Sequence, residues 1–455
     1  MPLIPHRRQT IVEASAALAR GELTAEDLLD TCLERIDEGE GQIQAWVSVD
    51  REGARRAAKE CDARLARHRS ERGNEPLPPL LGIPIGIKDI IDVAGEVTGA
   101  GSRARMQGPP AERDATVVRK LREAGAIILG KTVTTQFAWF DPPATRNPWN
   151  PTHTPGGSSS GSAAAVGAGM CLGAIGSQTG GSIIRPAGFC GVAGCKPTFG
   201  RVSCEGFEPV APSLDTPGPI AGCVTDVAIL LTAISVGDQV IAGGDPRLKL
   251  AIDSADLHLK KLKPPRLAIL TEFPKVSDDD MQVALDHAMS TLRAAGASVD
   301  IVETNPDWLN SHQLIVGYEM AARHRERIRK LRFDYAPKVK ELIQAGLLIT
   351  NIQYEAARRR QEEAIVGSAS LMHDFDALVC PATRGVAPAH ATTGDPSFQS
   401  FWTFTGQPTI TFPISLSGDG LPLGIQLIGR RFDEAGLFRA AAWCEAVLPG
   451  LTPDR

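Results

Sequence analysis

Residues 155–166 read PGGSSSGSAAAV, residues 176–187 read GSQTGGSIIRPA and residues 194–197 read GCKP. Flexible Gly/Ser-rich linkers lack interleaved apolar runs, whereas residues 163–175 of this segment are almost wholly small and apolar. Such a run is typical of a helix or strand packed tightly inside a domain. The glycines and hydroxyl groups on either side of it therefore indicate a rigid cradle for an active site.

The composition is that of an ordinary globular protein. The 455 residues are 43% hydrophobic and 22% charged, with a formal net charge of −5, which argues against nucleic-acid binding as the main role. No segment reaches the roughly 20 apolar residues of a membrane helix, and the N-terminus lacks the apolar core of a secretory signal. We expect a cytoplasmic protein that binds neither membrane nor nucleic acid.

The nine cysteines are scattered along the chain and do not suggest a disulfide framework. Cys190 and Cys195 lie in the glycine-rich segment, but no CxxC pair or nearby histidine completes a zinc pattern. We interpret both as reduced core residues and expect no metal and no cofactor.

Alternating apolar segments predict an α/β fold with a buried, mixed or parallel sheet. A long helical region, from about 305 to 372, is predicted to cover the sheet as a cap. Because no long polar linker interrupts the patterned segments, we expect one domain over 1–455, with a helical N-terminal part at about 1–70 and a core at about 80–230. The predicted helices are 10–20, 24–38, 51–67 and 115–124, and the predicted strands are 80–87, 126–129, 171–175, 266–270, 298–302, 377–379, 409–412 and 424–428.

Two segments match known sequence motifs but lack the secondary structure that those motifs require. Residues 125–132 read GAIILGKT, which spells a phosphate-binding loop, but the intervening residues are those of a buried strand and the helix precedes them. Residues 157–161 spell the GxSxG nucleophile elbow around Ser159, yet a proline-broken loop precedes them rather than a strand. All nine histidines lie outside the Gly/Ser blocks, so a histidine base would have to come from a distant segment.

Lys88 is the best candidate for a base. It ends the apolar run GIPIGI at residues 82–87, and burial lowers a lysine's pKa, which makes its amine a competent base. The alternative is a structural lysine paired with Asp89 or with a distant carboxylate.

Five blocks in this order resemble the amidase signature family. They are GIPIGIKD at 82–89, PGGSSSGSAAA at 155–165, TGGSI at 179–183, FCG at 189–191 and CKPT at 195–198. Weaker similarities occur at 114–117, 130–132, 146–149 and 421–429, so the resemblance spans roughly residues 10–445. It implies a single amidase domain in which a central mixed β-sheet is covered on both faces by α-helices.

The resemblance also implies a Ser-Ser-Lys triad. Ser182 would be the nucleophile that becomes acylated, Ser158 the bridging residue held by a cis peptide bond, and Lys88 the terminal base. A bridging hydroxyl can accept and donate a proton in one relay when the lysine lies too far from the nucleophile. The backbone N–H groups of Thr179, Gly180, Gly181 and Ser182 can form the oxyanion hole.

Two positions depart from the family pattern. The family commonly has aspartate where this chain has Gln178, and it has arginine two residues after the nucleophile, where this chain has Ile184 followed by Arg185. The hydrogen bonds that support the Ser158 turn must therefore be arranged differently, and Ser159, Ser160 and Gln178 are the candidates to supply them.

Several aromatic side chains are candidates for the substrate pocket, with core packing as the alternative for each. In the family, the pocket is formed by segments after the strand at 130–132 and by late loops. An aromatic or apolar acyl or amine group would suit such a lining. The candidates are Phe137, Trp139, Phe140, Trp402 and Phe404.

The leading hypothesis is a cofactor-independent amidohydrolase that acts on a small linear amide, with esters and carbamates (urethanes) as further substrates and a homodimer as a family-level expectation. The alternative is the catalytic subunit of a tRNA-dependent glutamine amidotransferase, which would supply ammonia to a partner. The chain is somewhat short for that role, and its GKTVTTQF at 130–137 lacks the NMDEF sequence usual there. A non-catalytic binding protein is hard to reconcile with Lys88, Ser158 and Ser182 together.

Overall fold

The eleven strands of the described residues form a single mixed sheet. The structure is a computed structural model that describes residue 4 and residues 8–71, 76–235, 262–303, 308–331 and 333–451. The strand order is β1-β3-β2-β4-β6-β5-β10-β11-β9-β7-β8. The strands are β1 Trp46–Val49, β2 Pro84–Lys88, β3 Ile127–Thr132, β4 Gly173–Gln178, β5 Ala193–Lys196, β6 Thr216–Ala221, β7 Arg266–Leu270, β8 Ser298–Val302, β9 Ala377–Pro381, β10 Thr409–Leu416 and β11 Pro422–Ile428.

Parallel and antiparallel pairs occur in the same sheet. β2 pairs in parallel with both β3 and β4, and β7 pairs in parallel with β8 and β9. The other pairs are antiparallel. The predicted α/β fold with a central mixed sheet is confirmed.

Thirteen α-helices accompany the sheet in the part of the chain that is described. Thr10 and Thr24 each cap a helix through a reciprocal capping box, which satisfies backbone N–H groups that a helix start leaves free. The helices are α1 Ile11–Arg20, α2 Ala25–Ile43, α3 Arg51–Ser70, α4 Thr116–Glu123, α5 Ser160–Gly167, α6 Ile184–Phe189, α7 Val224–Ile234, α8 Asp279–Ala294, α9 Leu309–Lys330, α10 Pro337–Gly346, α11 Asn351–Leu371, α12 Ser397–Phe404 and α13 Glu434–Val447.

The small apolar run of the Gly/Ser segment forms α5 and leads into β4. Every residue of α5 is buried. A Cβ on Gly161 would collide with the carbonyl oxygen of Ala45 and the amide of Val133, so only glycine lets the helix approach that backbone so closely. The Ser158 turn precedes α5 and the Ser182 turn follows β4, so these two packed elements together fix the separation of the turns.

Several predicted elements differ in extent from the observed ones; the strand predicted at 80–87, for example, is β2 Pro84–Lys88, and the helix predicted at 24–38 is α2 Ala25–Ile43. The strand predicted at 171–175 is β4, which continues to Gln178 because Ser177 and Gln178 pair with Pro217 and Thr216 of β6. The helical region predicted from about 305 consists of α9, α10 and α11, and residues 305–307 lie outside the described part.

GAIILGKT at 125–132 lies on β3 directly after α4, so it has no helix following it to cradle a phosphate.

Candidate active site

Lys88 is the last residue of β2 and is completely buried. Its Nζ lies 2.7 Å from the Oγ of Ser158, 3.1 Å from the Oγ of Ser159 and 3.0 Å from the Oγ of Ser177. β2 runs parallel to β4, so Lys88 and Ser177 reach the same edge of the sheet. The lysine is therefore surrounded by hydroxyl groups.

Electrostatics favour the neutral amine at this position. Burial lowers the pKa of Lys88 well below its usual range, Asp215 opposes that shift, and Arg185 adds to it. A neutral amine can accept a hydrogen bond from one hydroxyl while it donates to others. The neutral amine can therefore accept a hydrogen bond from the hydroxyl of Ser158.

A second buried lysine, Lys131 on β3, has a different partner. Its Nζ lies 3.1 Å from a carboxylate oxygen of Asp89. Asp89 is therefore paired with Lys131, and the first of the two structural alternatives for Lys88, pairing with Asp89, is not observed.

The turn that presents Ser158 is held by hydrogen bonds to its backbone carbonyls. The Gly157–Ser158 peptide bond is cis. Nη2 of Arg185 donates to the carbonyl of Gly157 at 2.6 Å, and Oγ of Ser160 donates to the carbonyl of Gly156 at 2.7 Å. The arginine that is displaced by one position relative to the family pattern thus supports this turn together with Ser160.

Gln178 supports the other turn, which carries Ser182. Its Oε1 accepts the amides of Ile183 and Ile184 at 2.9 and 3.1 Å, and its Nε2 donates to Thr403 at 3.0 Å. An uncharged amide therefore fixes the backbone directly after the nucleophile candidate, at the position where the family commonly has aspartate. The two turns are joined directly, because the Ser159 amide donates to the carbonyl of Ser182 at 3.2 Å.

The amides of Gly180, Gly181 and Ser182 donate no hydrogen bond to any described residue. The carbonyls beside them are held, since Thr403 donates to Gly180 at 2.7 Å and His312 to Thr179 at 2.8 Å. A turn whose carbonyls are anchored and whose N–H groups are free can receive an oxyanion without reorganising. Of the four amides predicted to form the oxyanion hole, those of Gly180, Gly181 and Ser182 are therefore available to a ligand, and Thr179 contributes its carbonyl and side chain to the turn.

Thr179 completes this turn through its side chain. Its Oγ1 donates to Asp215 at 2.5 Å, and the same carboxylate accepts the amides of Val210 and Ala211. Burial raises the pKa of Asp215 to about 6, against these hydrogen bonds. Asp215 therefore anchors the turn at residues 179–182, called the oxyanion turn below after its predicted role, and also acts on Lys88 through its charge.

His312 lies at the boundary between the turn and the helical region. It belongs to α9, is buried, and lines the cavity. Because a carbonyl oxygen can only accept, Nε2 of His312 carries the proton, and burial lowers the pKa of the imidazole. That nitrogen is therefore occupied by Thr179 and cannot act as the base for Ser182.

A cavity of about 530 Å³ opens onto Ser182. Among the predicted pocket residues, Trp139 and Phe140 line it. Phe137 instead packs against His324 and Tyr335. Trp402 and Phe404 are fully buried and are not part of the lining. Much of the wall comes from the helical region, through Leu309, Leu314, Leu342, Ala345, Gly346 and Ile349.

Sequence reasoning missed Asp215, His312 and Thr403 as parts of the site. None of them lies in a Gly/Ser block, and each reaches the site through long-range packing. Of the three, only His312 could have been noticed in the sequence, because it lies near the start of a predicted helical segment that is rich in apolar residues.

Comparison with known proteins identifies the family. The amidase family profile matches residues 27–438. One component of the glutamyl-tRNA(Gln) amidotransferase of Roseiflexus castenholzii is 34% identical over 490 residues, which cover 96% of this chain and 95% of the relative. The chain therefore belongs to the amidase family.

Solved structures agree with this assignment. Native peptide amidase from Stenotrophomonas maltophilia superimposes with a TM-score of 0.82 at 31% identity, over 98% of each chain. A chain of the vestigial protein complex that reveals the origins of an s-triazine catabolic enzyme gives 0.88 at 30% identity, over 96% of this chain and 98% of that one. The protein is thus an amidase-family enzyme acting on C–N bonds. No helix in the described ranges could span a membrane.

Proposed function

We propose that this chain hydrolyses the C–N bond of carboxylic amides through an acyl-enzyme formed on Ser182. The observation that carries the proposal is the buried contact of 2.7 Å between Nζ of Lys88 and Oγ of Ser158. It lies beside a turn that exposes Ser182 to a cavity and leaves three amides free to donate. In the proposed reaction these groups act as base, relay hydroxyl, nucleophile and oxyanion donors.

The chemistry follows from these positions. Ser182 attacks the carbonyl carbon while its proton passes to Ser158 and that of Ser158 passes to Lys88. The free amides of the turn stabilise the negative oxygen of the tetrahedral intermediate. When the C–N bond breaks, the relay returns the proton to the leaving amine. Water then hydrolyses the ester on Ser182, with Lys88 again as the base.

The cavity supports a substrate with a substantial apolar part. Aromatic and aliphatic side chains dominate its wall, and its volume suits a molecule larger than a simple primary amide. Esters and carbamates present the same carbonyl to Ser182 and are further candidate substrates.

A second candidate function is the ammonia-supplying component of a tRNA-dependent amidotransferase, which would need partner proteins. The amidotransferase relatives support this function. The match to the Roseiflexus castenholzii relative covers 95% of its length, so this chain is not too short for the role. The cavity does not favour it, because within the described part of the chain no carboxylate lines the wall to receive the ammonium group of glutamine.

Covalent labelling tests the proposed chemistry. A fluorophosphonate probe followed by peptide mapping should modify Ser182, and the modification should be lost in Lys88→Ala. Ser290→Ala, which removes an exposed hydroxyl on α8, is the matched control and should label as the wild type does. Labelling at another serine, or turnover of amides by Ser182→Ala, would contradict the assignment.

A substrate panel separates the two candidate functions. The chain alone should hydrolyse apolar 4-nitroanilides and should release no ammonia from L-glutamine. Glutaminase activity that appears only with the partner proteins of an amidotransferase, without anilide hydrolysis, would favour the second function.

A further inference from the structure

Two consecutive residues beside the cavity, Phe137 and Ala138, have a left-handed backbone conformation. Their φ angles are +46° and +55°. This conformation is costly for residues that carry a Cβ, and only glycine adopts it freely. Such strain persists only where the surrounding structure imposes it, and it is concentrated at functional sites. The contacts that hold this pair therefore indicate what the pair does.

The left-handed pair directs neighbouring side chains to different places. Phe137 is buried, and its ring centroid lies 4.5 Å from that of His324 and 5.3 Å from that of Tyr335. The next three residues, 138–140, line the cavity that opens onto Ser182. One side chain is thus anchored in the helical region, while the residues that follow it form the aromatic part of the wall.

Gln136 fastens the start of this segment to the connection between α9 and α10. Its Nε2 donates to the carbonyl of Asp334 at 2.5 Å, and its Oε1 accepts the amide of Ala336 at 2.6 Å. An amide side chain that makes both bonds to one backbone stretch fixes its position and its orientation together. The backbone after Gln136 is held as well, because the amide of Phe137 donates to the carbonyl of Ala100 at 2.8 Å.

Asp141 fastens the other end of the segment. Its two carboxylate oxygens accept the amides of Lys338 and Val339, at 3.2 and 3.1 Å, in the first turn of α10. α10 itself lines the cavity through Leu342. The side chains of Gln136 and Asp141, called the clamp below, therefore join the aromatic part of the wall to its aliphatic part.

We propose that Gln136 and Asp141 are positioning residues, whose clamp holds the left-handed pair and so presents Trp139 and Phe140 to the substrate in one fixed arrangement. The inference rests on the proposed hydrolase function and adds the origin of its affinity for an apolar substrate. A preformed wall loses little freedom when the substrate binds, which favours binding. Without the clamp, the pair relaxes towards ordinary backbone angles and the aromatic wall loses its arrangement.

Steady-state kinetics of Gln136→Ala with apolar 4-nitroanilides tests the clamp. We expect KM to rise about 10-fold. We expect kcat to fall by less than about 3-fold, because the hydrogen bonds around Lys88 do not involve the clamp. Gln136→Glu keeps the acceptor for the amide of Ala336, so its KM should lie between the two, and it replaces Gln136→Ala if that variant does not fold. An unchanged KM in both variants would overturn the inference and leave the hydrolase function intact.

A second substitution distinguishes positioning of the wall from simple attachment of the helical region. Glycine occupies left-handed angles without strain, so adding Ala138→Gly to Gln136→Ala should restore KM to within about 3-fold of the wild type. Gln44→Gly changes another left-handed residue, with φ +53° at the end of α2 and outside the cavity lining, and should restore nothing. If Ala138→Gly restores nothing, or Gln44→Gly restores as much, the clamp only attaches the helical region and the inference is wrong.

Thermal unfolding of the single and double variants tests the strain without any substrate. Ala138→Gly should be more favourable in the wild type than in Gln136→Ala, by about 1–3 °C in the unfolding midpoint, because the pair has already relaxed in Gln136→Ala. An equal effect in the two backgrounds would show that the pair stays left-handed without Gln136, against the inference. If the wild type cleaves no anilide, the hydrolase function is contradicted, and this comparison still decides whether the clamp holds a strained backbone.

Discussion

The centre around Lys88 and the cavity wall formed by α9 and α10 are held together by different forces. At the centre, buried polar groups hold one another at defined distances, as the hydroxyl groups around Nζ and the amides on Gln178 show. The wall is formed by apolar side chains such as Leu342 and Ile349, whose contacts have no direction. The centre therefore tolerates few substitutions and determines the chemistry. The wall tolerates more substitutions and determines which substrate binds.

The strongest test of this comparison is to replace two of the buried lysines, Lys88 and Lys131, one at a time. Lys88→Met should lower kcat/KM by about 10³-fold or more, because the base is lost, and should cost about 1–3 kcal/mol of unfolding free energy, because buried hydroxyl groups lose their partner. Lys131→Met leaves Asp89 buried without its ion pair and should cost about 3–5 kcal/mol of unfolding free energy.

Chemical denaturation and steady-state kinetics on both variants check this expectation. The molecules of Lys131→Met that remain folded should keep most of their activity. The distinction between the two lysines would be wrong if both variants lost the same share of activity per folded molecule.

A smaller effect is expected at Gln178. Gln178→Ala leaves the buried amides of Ile183 and Ile184 without an acceptor, which should cost about 1–3 kcal/mol of stability. The Ser182 turn then loosens, and we expect kcat to fall by roughly 10-fold or more while KM changes little. Gln178→Glu keeps the acceptor and should recover part of the stability, measured by thermal unfolding.

The pH dependence tests the charge balance at the centre. Lys88 must be neutral to act, so kcat/KM should fall as the pH drops below its lowered pKa. The negative charge of Asp215 raises the pKa of Lys88, so Asp215→Asn should move the acidic limb of the profile to lower pH. Asp300→Asn, an exposed change on β8, should leave the limb in place. A shift towards higher pH in Asp215→Asn would contradict this electrostatic account.

The smallest effect is expected at the wall. Ile349→Ala removes apolar area from the cavity and should raise KM for apolar anilides by about 3- to 30-fold, with kcat nearly unchanged. Leu348→Ser alters the neighbouring residue, which is 82% exposed, and should leave both constants unchanged. A fall in kcat for Ile349→Ala would show that wall and centre are not separable there.

The two regions also differ in how far the sequence predicts them. Lys88 and Ser158 were found because both lie in blocks that resemble the amidase signature family, and β2 was predicted because the residues before Lys88 are apolar. β6 was missed because TPGPIA contains two prolines, which local propensity places outside strands. Phe137 and Trp402 were expected at the pocket because they are aromatic.

Pocket lining depends on packing between segments distant in sequence, and local patterns do not encode it. The residues actually present, such as Leu314 on α9 and Leu342 on α10, are indistinguishable in sequence from the core positions of any amphipathic helix. Asp215 was missed for the same reason, because its role arises only when a distant loop brings it to Thr179.

His312 is the point at which the two regions meet. It stands on a wall helix, yet its imidazole holds the carbonyl of Thr179 in the oxyanion turn. A bulky substrate that pushes α9 outward would therefore also pull on the groups that stabilise the transition state. If the substrate range is redesigned, replacements on α10 should change only the affinity for the substrate. A displacement of α9 at position 312 would change the turnover rate as well.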